Sequence, residues 1–132
     1  MPMPPLLIIA CCARKAAIAS GTPTELYTGH LFRNAVKWAT RNGVGWVVLS
    51  ARYGIVLPTD VIDNYDQRMT TKGADAFQRT LDWPAAWYGW RLCSPTYSRA
   101  IPPAIRDARF PHLCPGLRIG EQMHWLIHHA LP

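Results

Sequence analysis

The sequence predicts an α/β fold built on a short, mainly parallel sheet, and three observations predict it. Two continuous apolar runs, Leu6-Leu7-Ile8-Ile9-Ala10-Cys11 and Gly45-Trp46-Val47-Val48-Leu49-Ser50, have the pattern of strands covered on both faces. Between them, Leu31, Ala35 and Trp38, together with Phe32, Val36 and Ala39, fall at helical spacing, so this stretch reads as a strand–helix–strand crossover. The chain has 132 residues, 49% apolar and 17% charged, which suits one domain with a core of its own.

The elements follow in order. Ala13, Arg14 and Lys15, then Ser20-Gly21-Thr22-Pro23, form a loop that leaves the carboxyl end of the first strand. Thr24-Glu25-Leu26-Tyr27 reads as a short turn, and Asn42-Gly43 ends the crossover helix. Residues 51–69 lack periodicity and read as a structured loop, placed where ligands bind in open α/β sheets. A helix is expected over 71–81, with Ala74, Phe77, Gln78 and Leu81 on one face. Trp90-Arg91-Leu92-Cys93-Ser94 makes a poor third strand. Residues 98–108 read as a helix whose first turn holds Pro102 and Pro103. A last helix is expected over 118–130, with Ile119, Met123, Leu126 and Ile127 as its apolar face.

Charge narrows the partner. There are 14 Lys and Arg against 8 Asp and Glu, a formal net charge of +6. Lysine occurs only at Lys15, Lys37 and Lys72, so most of the positive charge is guanidinium, which binds phosphates and carboxylates in a bidentate way. The expected partner is therefore nucleic acid or a nucleotide. No apolar run is long enough for a membrane span, and the run before Cys11 is too short for a secretory signal. Cys11, Cys12, Cys93 and Cys114 contain no CxxC pair, which argues for reduced thiols in a cytoplasmic protein and against a structural zinc site. His124 and His128 share a helix face but lack the glutamate of HExxH, so a solvated face is preferred to a metal site. Neither GxGxxG nor GxxxxGK[ST] is present, and no cofactor is implied. Trp83, Trp87 and Trp90 are read as packing, or as a contact with a second copy or a partner protein.

Two blocks carry the chemistry. One is Cys11-Cys12-Ala13-Arg14-Lys15; the other is Ser50-Ala51-Arg52-Tyr53-Gly54 followed by Pro58, Asp60, Ile62 and Tyr65. With Leu26-Tyr27 and a tail of Gly116, Ile119, Gly120 and Gln122, the pattern resembles a family of small bacterial and phage domains of unknown function. Its second block is similar to one in the DNA-binding peroxide-stress protein family YaaA and in the uracil-DNA-glycosylase-like domain of archaeosine synthase. The resemblance implies a three-layer, Rossmann-like domain with a connection to nucleic acid or nucleobases.

The residues themselves suggest roles. Adjacent strand ends would gather the two blocks at one rim. Asp60 and Asp66 are the candidate catalytic carboxylates and Cys11 the candidate reactive thiol for chemistry at an N-glycosidic bond. Lys15 and Arg52 would bind a phosphate or a departing base anion, Tyr53 and Tyr65 would stack on the base, and Ser50 and Gly54 would complete the substrate side. Structural alternatives stand beside these roles. Cys11 can be a small buried apolar residue, Lys15 a helix cap or a solvated charge, Tyr53-Gly54 a tethered turn, and Asp60 a cap or loop tether. Ser50 lacks a nucleophile elbow. The other functional classes left open are a non-catalytic nucleic-acid-binding or base-modification accessory protein and a nucleotide-sensing module.

Overall fold

A computed structural model describes residues 4–131. The elements run β1 (Leu6–Ala10), β2 (Ser20–Gly21), α1 (Pro23–Leu26), α2 (His30–Arg41), β3 (Gly45–Ser50), β4 (Gly54–Val56), β5 (Ile62–Asp63), α3 (Thr71–Thr80), β6 (Gly89–Leu92), α4 (Pro95–Ser98), α5 (Pro103–Arg109) and α6 (Ile119–His128). The main sheet has the order β4-β3-β1-β6. β1 pairs in parallel with β3 on one side and β6 on the other, and β4 adds an antiparallel edge to β3. The mainly parallel sheet expected from the two apolar runs is therefore present.

The runs are continuous because both faces of the strands are covered. Leu7, Ile9, Val48 and Leu92 join one buried cluster with Phe32, Ala35 and Trp38 of α2 and Leu126 of α6. Ile8, Val47, Leu49 and Cys93 join a second with Ala74 of α3, Ile101 and Phe110. Full burial of one such side chain contributes about 1.5–3 kcal/mol, so a central strand with no polar face is strongly favoured. α2 ends at Arg41 with Asn42 as its C-cap, and Gly43 takes the left-handed conformation at φ +67°.

Two expectations need correction. Residues 98–108 do not form one helix. α4 stops at Ser98 and α5 begins at Pro103, because Ile101 and Pro102 each precede a proline and are excluded from the helical region. Residues 51–69 are not all loop either. Ser50 pairs with Gly54 across a tight hairpin into β4, and β5 pairs with β2. These strands are too short to show a pattern of alternation.

Of the tryptophans at 83–90, Trp83 is buried against Phe110 and Trp90 packs edge-on to Trp38. Both rings serve the chain's own core. Among the described residues, no helix is long and apolar enough to cross a membrane.

Candidate functional site

Chain connectivity reverses direction across the sheet at β1: the first crossover goes to β3, and the next strand in the parallel set, β6, lies on the opposite side. Such a reversal opens a crevice beyond the carboxyl ends of the strands. A chamber of about 200 Å³ lies there, lined by Ala10 at the end of β1 and Cys11 and Cys12 after it, by Leu92, Cys93 and Ser94 at the end of β6, and by Leu31, Phe32, Tyr97, Ile119 and Gln122. Its walls are mainly apolar. A second chamber of about 80 Å³ shares Cys11, Cys12 and Tyr97 with it and adds Lys15, Asp66, Gln67 and Arg68. Cys11 Sγ and Tyr97 Oη, 3.1 Å apart and hydrogen-bonded, stand between the two.

Burial raises the pKa of Tyr97, with its Cys11 contact adding to the effect, so its hydroxyl stays protonated at neutral pH. Burial likewise pushes Cys93 up to about 12 and raises Cys12. Lys15, Asp66 and Arg68 have no ion-pair partner among the described residues. The polar chamber thus presents two cations and one carboxylate, none of them in an ion pair among the described residues.

The rim is held from beneath by a buried hydroxyl cluster. Ser50 is fully buried at the end of β3. Its Oγ accepts the backbone N–H groups of Arg52 (3.2 Å) and Tyr53 (3.1 Å) and donates to Tyr65 Oη (2.8 Å). The Tyr65 and Tyr27 hydroxyls share a further bond of 2.6 Å. Burial pushes Tyr27 up to about 12 and Tyr65 higher still. The Lys15 ammonium sits 4.4 Å from the Tyr65 ring centroid, a cation–π contact that holds this charge at the crevice. Asn64 donates to the carbonyls of Ala16 and Ile18, which ties the segment after β5 to the loop after β1.

The sequence-selected residues therefore separate into groups. Cys11, Lys15 and Asp66 line the crevice. Ser50 and Tyr65 support it. Tyr53 packs edge-on to Tyr65 at 5.5 Å and 83°, and its hydroxyl donates to Asp63 O. The two rings leave no slot for a base between them, so stacking there does not fit this geometry. Arg52 is exposed and lies over Tyr53. Gly54 is buried at φ +73°, where an added Cβ would meet Leu81 Cδ2 at 2.6 Å. Asp60 Oδ2 accepts the Leu57 N–H at 2.8 Å, closing its own turn beside a separate depression. The fold does not bring Asp60 and Asp66 together. It adds instead Cys12, Ser94, Tyr97, Gln122 and Arg68, which sequence reasoning did not select as site residues. Of these, Cys12 had a signal as a member of the first block and Gln122 as the last residue of the tail motif.

His124 and His128 lie with ring centroids 4.2 Å apart, and no group of three or more metal-ligating residues occurs among the described residues. His112 is held differently: its Nδ1 accepts the Cys114 N–H at 3.1 Å, which requires the neutral ring. Burial, and then the nearby Arg91, lowers its pKa from 6.5. A lowered histidine pKa means that the unfolded chain takes up the proton first as pH falls. Stability is therefore fully present above pH 6.5 and declines as pH falls through the lowered value. Urea unfolding at about pH 7 and pH 5 should show this loss, and His112→Gln should flatten it. An unchanged pH slope in that variant would assign the loss to other groups.

No curated protein and no solved structure matches the chain. A family model matches residues 6–87, from β1 to beyond α3. The matched stretch supplies Cys11, Lys15 and Asp66 of the crevice, while Ser94, Tyr97 and Gln122 come from the remainder. The chain belongs to this family of unknown function, DUF6884.

Proposed function

We propose that the protein is a nucleobase-directed enzyme that hydrolyses an N-glycosidic bond in the crevice beyond β1 and β6. One observation carries this reading: an apolar chamber of about 200 Å³ that shares Cys11, Cys12 and Tyr97 with a polar one, in which Lys15, Asp66 and Arg68 lack ion-pair partners among the described residues. The base occupies the apolar chamber, and the sugar lies at the Cys11–Tyr97 divide. Asp66 accepts a proton from water as the water oxygen bonds to the anomeric carbon. The carbon–nitrogen bond breaks, its electron pair goes to the base nitrogen, and the departing base takes up a proton from solvent while Asp66 returns the one it accepted. Tyr97 is a hydrogen-bond donor to the base, and Lys15 and Arg68 hold the negative charge of a phosphate on the sugar. Cys11 orients Tyr97.

The burial of both sheet faces supports a three-layer, Rossmann-like reading of the fold. The motif similarity to the peroxide-stress family and to the glycosylase-like domain is consistent with a nucleobase ligand. Chromatographic base release from nucleosides, 5′-mononucleotides and short oligonucleotides tests the reaction. Asp66→Asn should lower the rate by about 10²–10⁴-fold. Full rate in that variant would remove Asp66 from the mechanism, and no release from any compound would remove the enzyme reading.

A second reading is a nucleotide-binding module without turnover. The observation that favours it is the position of Asp60, which leaves Asp66 as the one carboxylate lining the two chambers. Glycosidases commonly use two. Binding without base release would select this reading.

A further inference from the structure

The apolar chamber has a cationic neighbour on each side. Towards β1 lies the small chamber with Lys15 and Arg68. On the β6 side lies a larger one of about 640 Å³, which shares Cys93, Ser94 and Gln122 with the apolar chamber. This third chamber is lined by Arg91, Arg99 and Arg106, with Asp107 as its one carboxylate.

Its arginines are positioned but not saturated. Arg91 is fixed by Ser98 Oγ, by Asp107 and by the Arg106 and Phe110 carbonyls. Arg99 meets Asp75 through Nη2 alone, at 2.8 and 3.1 Å, and its side chain is 49% exposed. Arg106 uses Nε and Nη2 on the Ile101 carbonyl. Nη1 of both Arg99 and Arg106 makes no hydrogen bond among the described residues.

A free mononucleotide carries phosphate on one side of its sugar and would engage one of these flanks. A nucleotide inside a strand carries phosphate on both its 5′ and 3′ sides. From cations on both flanks of the base chamber we infer that the ligand is an internal nucleotide of a single-stranded nucleic acid rather than a free nucleotide. The inference rests on the nucleobase reading of the apolar chamber. It also gives a place to the arginine-rich charge of the chain, because each phosphate contact adds an increment of salt-dependent affinity.

The 132-residue chain is titrated with the four 5′-mononucleotides and with single-stranded trinucleotides of the same bases, at several salt concentrations. The best trinucleotide should bind at least about tenfold more tightly than its mononucleotide at low salt. Its log–log salt slope should be steeper by about 0.7 for each added phosphate contact. Arg99→Gln removes an exposed ion pair of small structural weight, so the variant should fold, and it should lower the trinucleotide-to-mononucleotide affinity ratio. Equal affinities and slopes for the two ligand types would overturn the strand inference and leave the nucleobase reading standing. An unchanged ratio in Arg99→Gln would overturn it in the same way. Absence of binding by every mononucleotide and trinucleotide would overturn both.

Discussion

Gly89→Ala is expected to abolish the native fold. Gly89 opens β6 opposite Leu6 of β1, at φ +147°. An alanine Cβ there would lie 1.9 Å from the Leu6 carbonyl oxygen and 2.6 Å from its nitrogen. Both are backbone atoms of the central strand, and the Leu6 N–H also donates to Tyr88 O at 2.8 Å. No side chain can move aside, so relief requires separating β6 from β1. The loss should exceed about 4 kcal/mol, a large part of the stability of a domain this size. Thermal unfolding should show a fall of at least about 10 °C, or no soluble folded protein. Gly116→Ala is the control. Gly116 also has positive φ, +76°, but its Cβ would meet nothing within 4 Å. That variant should lose about 1 kcal/mol. Equal losses in the two would remove the close approach of Leu6 as the cause.

Ser50→Ala should be the second most damaging of these changes and should reach the site. It leaves the N–H groups of Arg52 and Tyr53 without their acceptor and deprives Tyr65 Oη of a donor, 2.8 Å away and buried. Unsatisfied buried groups cost about 1–3 kcal/mol each, so a total of at least about 3 kcal/mol is expected in chemical denaturation. Tyr65→Phe keeps the ring beneath Lys15 and loses only the hydroxyl. Because both variants disrupt one network, their effects should be less than additive in a double-mutant cycle. Strict additivity would show that the hydroxyls act independently. Alkaline pH probes the same cluster. The Tyr27 pKa is raised from 10 to about 12, so its contribution is intact below pH 10 and is lost as pH rises towards the folded value. Tyr27→Phe should diminish the loss of stability seen between those pH values.

The signature residues thus serve two ends. Ser50, Tyr53, Gly54, Asp60 and Tyr65 build the hairpin and the turn that follow β3, while Cys11, Lys15 and Asp66 face the crevice. A motif read along the chain does not separate these classes, because both depend on residues at defined spacings. What separates them is the partner of each side chain. Asp60 finds the Leu57 N–H three residues away, whereas Asp66 finds no ion-pair partner among the described residues and remains at the crevice.

The strength of the local signal decided how much of the fold could be read in advance. β1, β3 and α2 were legible because their burial leaves an uninterrupted apolar run or a regular spacing. β6 was poorly legible because it places Arg91 in the sheet. That guanidinium is only 12% exposed and is held by groups from Ser98 to Phe110, contacts that leave no periodicity. The sequence by itself determined the class of fold and its central parallel pair, and it named Cys11, Lys15 and Asp66 as candidates without separating them from Ser50, Arg52, Tyr53, Gly54, Asp60 and Tyr65. Only the tertiary structure decided that Tyr97, from 86 residues away, meets Cys11. It also decided that Asp60 and Asp66 part and that arginines from the β6 side flank the same chamber. Burial writes itself into local pattern, whereas a site assembled at strand ends depends on which loops the sheet order brings together.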